Sequence, residues 1–133
     1  MAAADAAALA HRAGPSGGTT RGVKGGATRI VVSTIGVILG VSGIEHGVGE
    51  VLQGNVAPPA GVFPAWPGSS FFRIFNGEPA FSLVPNLFAT GVLAMLVGAL
   101  VVTWAALGIT RKRGGWVLVG LLLVQFLVGG GIA

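Results

Sequence analysis

The sequence predicts an all-α integral membrane protein: three transmembrane helices, with a Pro/Phe-rich, partly interfacial external segment between the first two. Three observations carry this reading. Hydrophobic residues make up 53% of the chain and charged residues 9%, against roughly 25% charged in soluble domains. The apolar residues fall into three long runs, and most Lys and Arg residues flank those runs. The 24 glycines also suit membrane helices, in which Gly is commoner than in soluble ones. The competing class is a soluble domain with a large buried core, and the scarcity of charge disfavours it.

Residues 1–29, "MAAADAAALAHRAGPSGGTTRGVKGGATR", carry scattered cations and no sustained apolar period. They are expected to form a flexible basic cytoplasmic tail. The segment is a poor signal peptide, because it lacks a basic n-region and Asp5 interrupts the alanines. A late signal sequence after Arg29, cleaved near Val41-Ser42-Gly43, is the weaker alternative.

The membrane domain then covers 30–133. Span one, Ile30 to Leu52, is roughly 34 Å long as a helix, enough for a hydrocarbon core of about 30 Å. Span two, Val84 to Ile109, carries no charge. Ser82 is its expected N-cap, with Pro85 in the first turn. Span three runs from Trp116 to Ala133 and is marginal in length. The cations cluster in the tail and in Arg111-Lys112-Arg113, which places the N-terminus and the second loop in the cytoplasm. The net charge of +4 therefore reflects membrane orientation, and no nucleic-acid partner is expected. The chain has no cysteine, which excludes disulfides and thiolate chemistry.

The external segment, 54–83, contains five prolines, which exclude a long helix. Ser69 or Ser70 is expected to cap a short helix "FFRIF", stopped by an Asn76-Gly77 turn. Phe71, Ile74 and Phe75 would share its apolar face at the outer interface.

Span one holds the two most informative patterns. At 100° per residue, Gly36, Gly40, Gly43, Gly47 and Gly54 fall within about 60° of one another. Such a stripe allows close backbone approach, so a tight helix–helix contact is expected through Gly36, Gly40, Gly43 and Gly47. Its partner is span two, span three or a second copy. Beside the stripe lie His46, Glu50 and Gln53. His46 and Glu50 are i, i+4 neighbours, and the expected pairing joins them, with Glu45 on the opposite face. At about 22–30 Å along the helix this polar group lies in the outer third of the bilayer. A structural role and a proton- or cation-handling role are both open there.

Gln125 needs a partner in hydrocarbon, and an interhelical hydrogen bond is its expected use. Thr90 and Thr103 are expected to bond back to their own helices. No metal site is expected: the only other histidine is His11, in the tail. No catalytic constellation, phosphate loop or cofactor motif appears, and an enzyme is not expected.

The stretches "GVSGIEHGVGEVLQGN" and "FFRIFNGEPAFSLVPNLFATGVLA" resemble a group of small prokaryotic multi-span membrane proteins with no known activity. The resemblance extends over roughly Ile35 to Gly131 and includes Glu78-Pro79-Ala80 and Pro85-Asn86. It implies a multi-pass protein of the prokaryotic plasma (inner) membrane. The expected function is structural or accessory, with the lipid bilayer and a homo-oligomer or larger membrane complex as partners. The alternative is an oligomeric proton or cation channel or transporter using Glu50, His46 and Glu45.

Overall fold

The computed structural model describes residues 20–75 and 77–131. Most of the expected tail, His11 and Asn76 of the expected turn lie outside them. Among the described residues there are three α-helices: α1 (Thr20–Leu52), α2 (Leu87–Leu107) and α3 (Gly114–Leu127). Between α1 and α2 lie two short strands, β1 (Val62–Pro64) and β2 (Pro79–Phe81), and a 3-10 helix over Phe72–Phe75.

Helix α1 begins ahead of its expected start, so 20–29 is helix and not tail. Nothing in "TRGVKGGATR" stops a helix outright, because it lacks proline. From Gly26 to Leu52, over 27 residues, α1 is long and apolar enough to cross a membrane, as is the 21-residue α2. The end of α1 is set by Gly54, whose φ of +90° is a left-handed conformation that glycine adopts without a Cβ penalty. Gly54 therefore leaves the glycine stripe: it lies past the helix, and a Cβ there would meet open space.

Helix α2 is capped by Asn86, not Ser82. The Asn86 side chain accepts from the Ala89 N–H at 2.9 Å, its backbone extended at φ −156°. Pro85 therefore precedes the cap, and the helix starts after it. Ser82 instead pairs with Val128 in an isolated bridge, while the Leu83 N–H donates to the Leu127 carbonyl at 3.0 Å.

Helix α3 has 14 residues, about 21 Å, well short of the expected span to Ala133. Its run stays apolar to the end, but Gly129 (φ +104°) and Gly131 (φ +91°) turn the backbone out of the helix. At the other end, Arg113 (φ 65°) starts α3, and Trp104 Nε1 donates to the Gly114 carbonyl at 2.9 Å to hold the α2–α3 turn.

Two apolar cores result. Val101, Ala105 and Leu118 pack between the helices, towards the end that carries Arg111 to Arg113. Phe63, Ala65, Ala80 and Leu87, with Trp66 against them, form the other core under the segment between α1 and α2. That segment is a hairpin-like pairing with Phe63 opposite Ala80. The expected short helix is a 3-10 helix over Phe72–Phe75, with Phe71 and Ile74 exposed while Phe72 stacks on Trp66 at 5.7 Å.

Candidate functional site: a buried histidine–carboxylate cluster

The glycine stripe sets how close the helices come. An ideal Cβ on Gly40 would lie 2.8 Å from the Gly98 carbonyl, and one on Gly98 would lie 2.6 Å from the Gly40 carbonyl. Gly47 and Gly91 meet in the same reciprocal way, each Cβ falling 2.5 Å from the other's carbonyl. Real Cβ atoms do not occupy such positions, so α1 and α2 pack backbone to backbone through these four glycines. Gly36 faces Ala105 and Leu118, and Gly43 faces Gln125. These two lie about 40° round the helix from Gly40 and Gly47, which turns them towards α3. The stripe is thus filled from within the chain, by α2 and α3.

Gln125 donates from Nε2 to the Leu39 carbonyl at 2.7 Å, joining α3 to α1. Thr103 bonds back to Ala99 at 2.8 Å. Thr90 does not return to its own helix: its hydroxyl donates to the Val128 carbonyl at 2.7 Å and also contacts the Ser82 hydroxyl. The free carbonyl of the Val128 turn is a partner that sequence spacing does not reveal.

Towards its C-terminal end α1 presents two polar faces. Positions 36, 39, 43, 46 and 50 continue the side that meets α3. Helix α3 stops at Leu127, so its glycine-rich continuation covers His46 and Glu50. A Cβ on Gly129 would fall 2.6 Å from both Glu50 oxygens, and one on Gly131 would fall 2.7 Å from His46 Nε2. The coil therefore passes Glu50 and folds back one helical turn to His46.

Positions 45, 49 and 53 form the second face, under the hairpin. Gln53 Nε2 donates to the Ala65 carbonyl at 2.9 Å and to the Pro64 carbonyl at 3.1 Å. Gly49 lets the hairpin settle, since a Cβ there would lie 2.4 Å from the Ala65 carbonyl.

The expected His46–Glu50 ion pair is absent from the described contacts. His46 Nδ1 instead lies 2.9 Å from the Ser42 carbonyl and 3.2 Å from Glu45 Oε2. His46 Nε2 faces Glu78 Oε2 at 3.5 Å. Rotation about the helix accounts for this: Glu45 does turn away from Glu50, but that face is where the hairpin brings Glu78. His46, 100° from Glu45, reaches both.

Sequence reasoning missed Glu78 as a site residue. Its available signal was position: it is the one acid of residues 54–83, in a Gly-Glu-Pro turn. Its φ of 51° is uncommon for a side-chain-bearing residue.

Glu50 and His46 are both fully buried, and neither Glu50 oxygen has a hydrogen-bond partner. Among the described residues no Lys or Arg pairs with Glu45, Glu50 or Glu78. A cavity of about 200 Å³ lined by Leu39, Ser42, Gln125 and Gly131 adjoins the cluster on the α3 side. Chemically the site is a carboxylate-rich pocket with one imidazole and no basic partner. Comparison with protein-family models, curated proteins and solved structures finds no match to this chain.

Proposed function

We propose that the chain is a small multi-pass membrane protein of structural or accessory type. It lies in the prokaryotic plasma membrane with its N-terminus in the cytoplasm. In this reading α1 and α2 cross the bilayer as an antiparallel pair, and α3 enters it as a shorter third helix. The observation that carries the reading is the contrast across α1. Its glycines meet α2 backbone to backbone, while Ile30, Ile35, Ile38 and Val41 on its other faces are more than half exposed. Water does not favour such an outer face, and lipid does. Arg29 and the Arg111–Arg113 turn lie at one end, as a cytoplasmic side requires. Because the glycine stripe is occupied within the chain, association with another copy or a larger complex would use these outward faces.

The test is side-specific labelling, which the absence of native cysteine makes clean. In intact cells an impermeant maleimide is expected to label Ser70→Cys and to spare Lys112→Cys until the membrane is opened. Recovery of the chain in the soluble fraction, or the reverse labelling pattern, would overturn the proposal.

Proton or cation conduction is the second reading, favoured by the buried, unpartnered Glu50 carboxylate. A group of this kind inside a membrane segment is costly and points to ion handling. Flux into liposomes, measured with the wild type beside Glu50→Gln, decides between the two. Flux that is lost in the variant supports conduction, and its absence from folded, inserted protein supports the accessory role.

A further inference from the structure

The geometry points to a binding site for one first-row divalent cation of the zinc class, formed by Glu45, His46 and Glu78. One ligand atom from each residue lies within 4.8 Å of the other two. Two ligands held about 2.0–2.2 Å from one tetrahedral ion are about 3.3–3.6 Å apart. Carboxylate rotation must close the set around a metal, with Glu45 Oε2, 3.2 Å from Nδ1, turning towards Nε2.

The independent observation is His46 itself. Its side chain is fully buried, and Nε2 has no hydrogen-bond partner. Its other nitrogen, Nδ1, lies 2.9 Å from the Ser42 carbonyl. A carbonyl only accepts, so Nδ1 carries a proton in that contact, and with no second proton on the ring Nε2 offers a lone pair. That lone pair faces Glu78 Oε2 at 3.5 Å, which is likewise without a hydrogen bond. With Nε2 unprotonated, two acceptors face one another in a buried space, and a metal ion between them satisfies both. An imidazole fixed through Nδ1 by a backbone carbonyl is also the usual outer support of a metal-ligating histidine.

Charge leads to the same conclusion. Glu45 and Glu78 bring two carboxylates to one imidazole, with no Lys or Arg paired to them among the described residues. A divalent ion balances that charge. The donor set selects within the divalents, because imidazole nitrogen suits zinc-class ions whereas Mg²⁺ and Ca²⁺ prefer all-oxygen sites. Access is from the hairpin side, where the Glu45 side chain remains 34% exposed. The fold also shapes this place. Glu78 adopts a left-handed backbone to enter it, and Gly131 supplies a surface in which any Cβ would press on Nε2. The site is independent of whether the helices conduct ions or only anchor the protein.

The test uses the full chain in detergent micelles, stripped with chelator, then given Zn²⁺ alone and passed over a desalting column. Elemental analysis is expected to find one Zn²⁺ per chain, undisturbed by excess Mg²⁺. His46→Gln and Glu78→Gln are each expected to weaken binding about tenfold or more, with helix content unchanged by circular dichroism. Glu45→Gln, at a partly exposed position, serves as the further variant should either lose its fold. His11→Ala and Glu50→Gln are expected to bind like the wild type. Co²⁺ in place of Zn²⁺ should give visible absorption bands that His46→Gln abolishes. The proposal fails if the folded wild type retains only trace metal, as it would were a proton shared between the carboxylates. It also fails if binding survives in the folded ligand variants or is lost with His11→Ala.

Discussion

The two sides of α1 make opposite use of the same residue type. Towards α2, Gly40 and Gly47 meet Gly98 and Gly91, and backbone touches backbone. Towards α3, Gly43 makes room for the Gln125 amide, while Gly129 and Gly131 of the following coil make room for Glu50 and His46. Along these four glycines the first side is tightly closed, and beyond them it opens into a groove beside Arg29 and Ile109. The second holds the cavity of about 200 Å³ and, nearer Arg111 and Arg113, a groove of about 570 Å³. Glycine spacing alone therefore does not identify a helix–helix seam. It marks where side chains have been removed, and the neighbour decides whether a backbone or a polar group fills the space.

The largest effect is expected on the closed side. Gly47→Val and Gly91→Val each drive a side chain into a facing carbonyl that cannot withdraw without separating the helices. A loss of about 3 kcal/mol or more is expected for each, measured by thermal or SDS denaturation of the purified protein. Gly120→Ala on α3 is the control, because a Cβ there meets nothing within 4 Å; its expected change is a gain of up to about 1 kcal/mol from helix propensity. If Gly47→Val were as stable as that control, the contrast between the two sides of α1 would collapse.

Much of the closed side is local geometry, which is why it can be read from spacing. A 3.6-residue period places Gly40 and Gly47 on one face whatever surrounds the helix, and the charge-free run after Asn86 marks α2 in the same way. Choosing the neighbour is different, because nothing local to α1 distinguishes α2 from a second copy. The polar side was harder still. Glu78 reaches His46 only through the pairing of "VFP" with "PAF", two strands of three residues each containing a proline. Such strands carry no alternating pattern to detect. The end of α3 was hidden for a related reason: "FLVGGGIA" stays apolar, so hydropathy continues the helix where left-handed glycines end it. Without that early end, the His46–Glu50 pairing inferred from i, i+4 spacing would be the natural one. With it, a coil lies over both residues and the hairpin provides His46 with other partners.

Glu50 gives the next largest effect, and its sign is the informative part. A buried carboxylate without a hydrogen bond costs stability, and replacing such a group by an apolar one of similar shape is neutral or favourable. Glu50→Met keeps an unbranched chain of similar reach, with flexibility to settle against Gly129. It is expected to raise stability by about 1–3 kcal/mol, followed as the shift in the denaturation midpoint. A loss of similar size would mean that Glu50 is paired after all, as the helical spacing alone suggests. A stabilised variant that has also lost flux in liposomes would mark Glu50 as a residue kept for ion handling at the expense of the fold.

The smallest effect belongs to Gln125, where the two sides of α1 come nearest to behaving alike. Its Nε2 donates to the Leu39 carbonyl at 2.7 Å, but its Oε1 is buried without a partner. Gln125→Leu removes a useful bond and an unsatisfied acceptor together, and the interhelical bond is worth only about 0.6–2 kcal/mol. The expected loss is about 1 kcal/mol. Gly43→Ala attacks the same contact from the other helix, since a Cβ there would fall 2.2 Å from Nε2. The two changes should therefore cost less together than the sum of the singles, because the second finds the bond already broken. Strict additivity would mean that Gly43 and Gln125 act separately. The α3 side of α1 would then be held by apolar packing, and its polar character would be confined to His46 and Glu50.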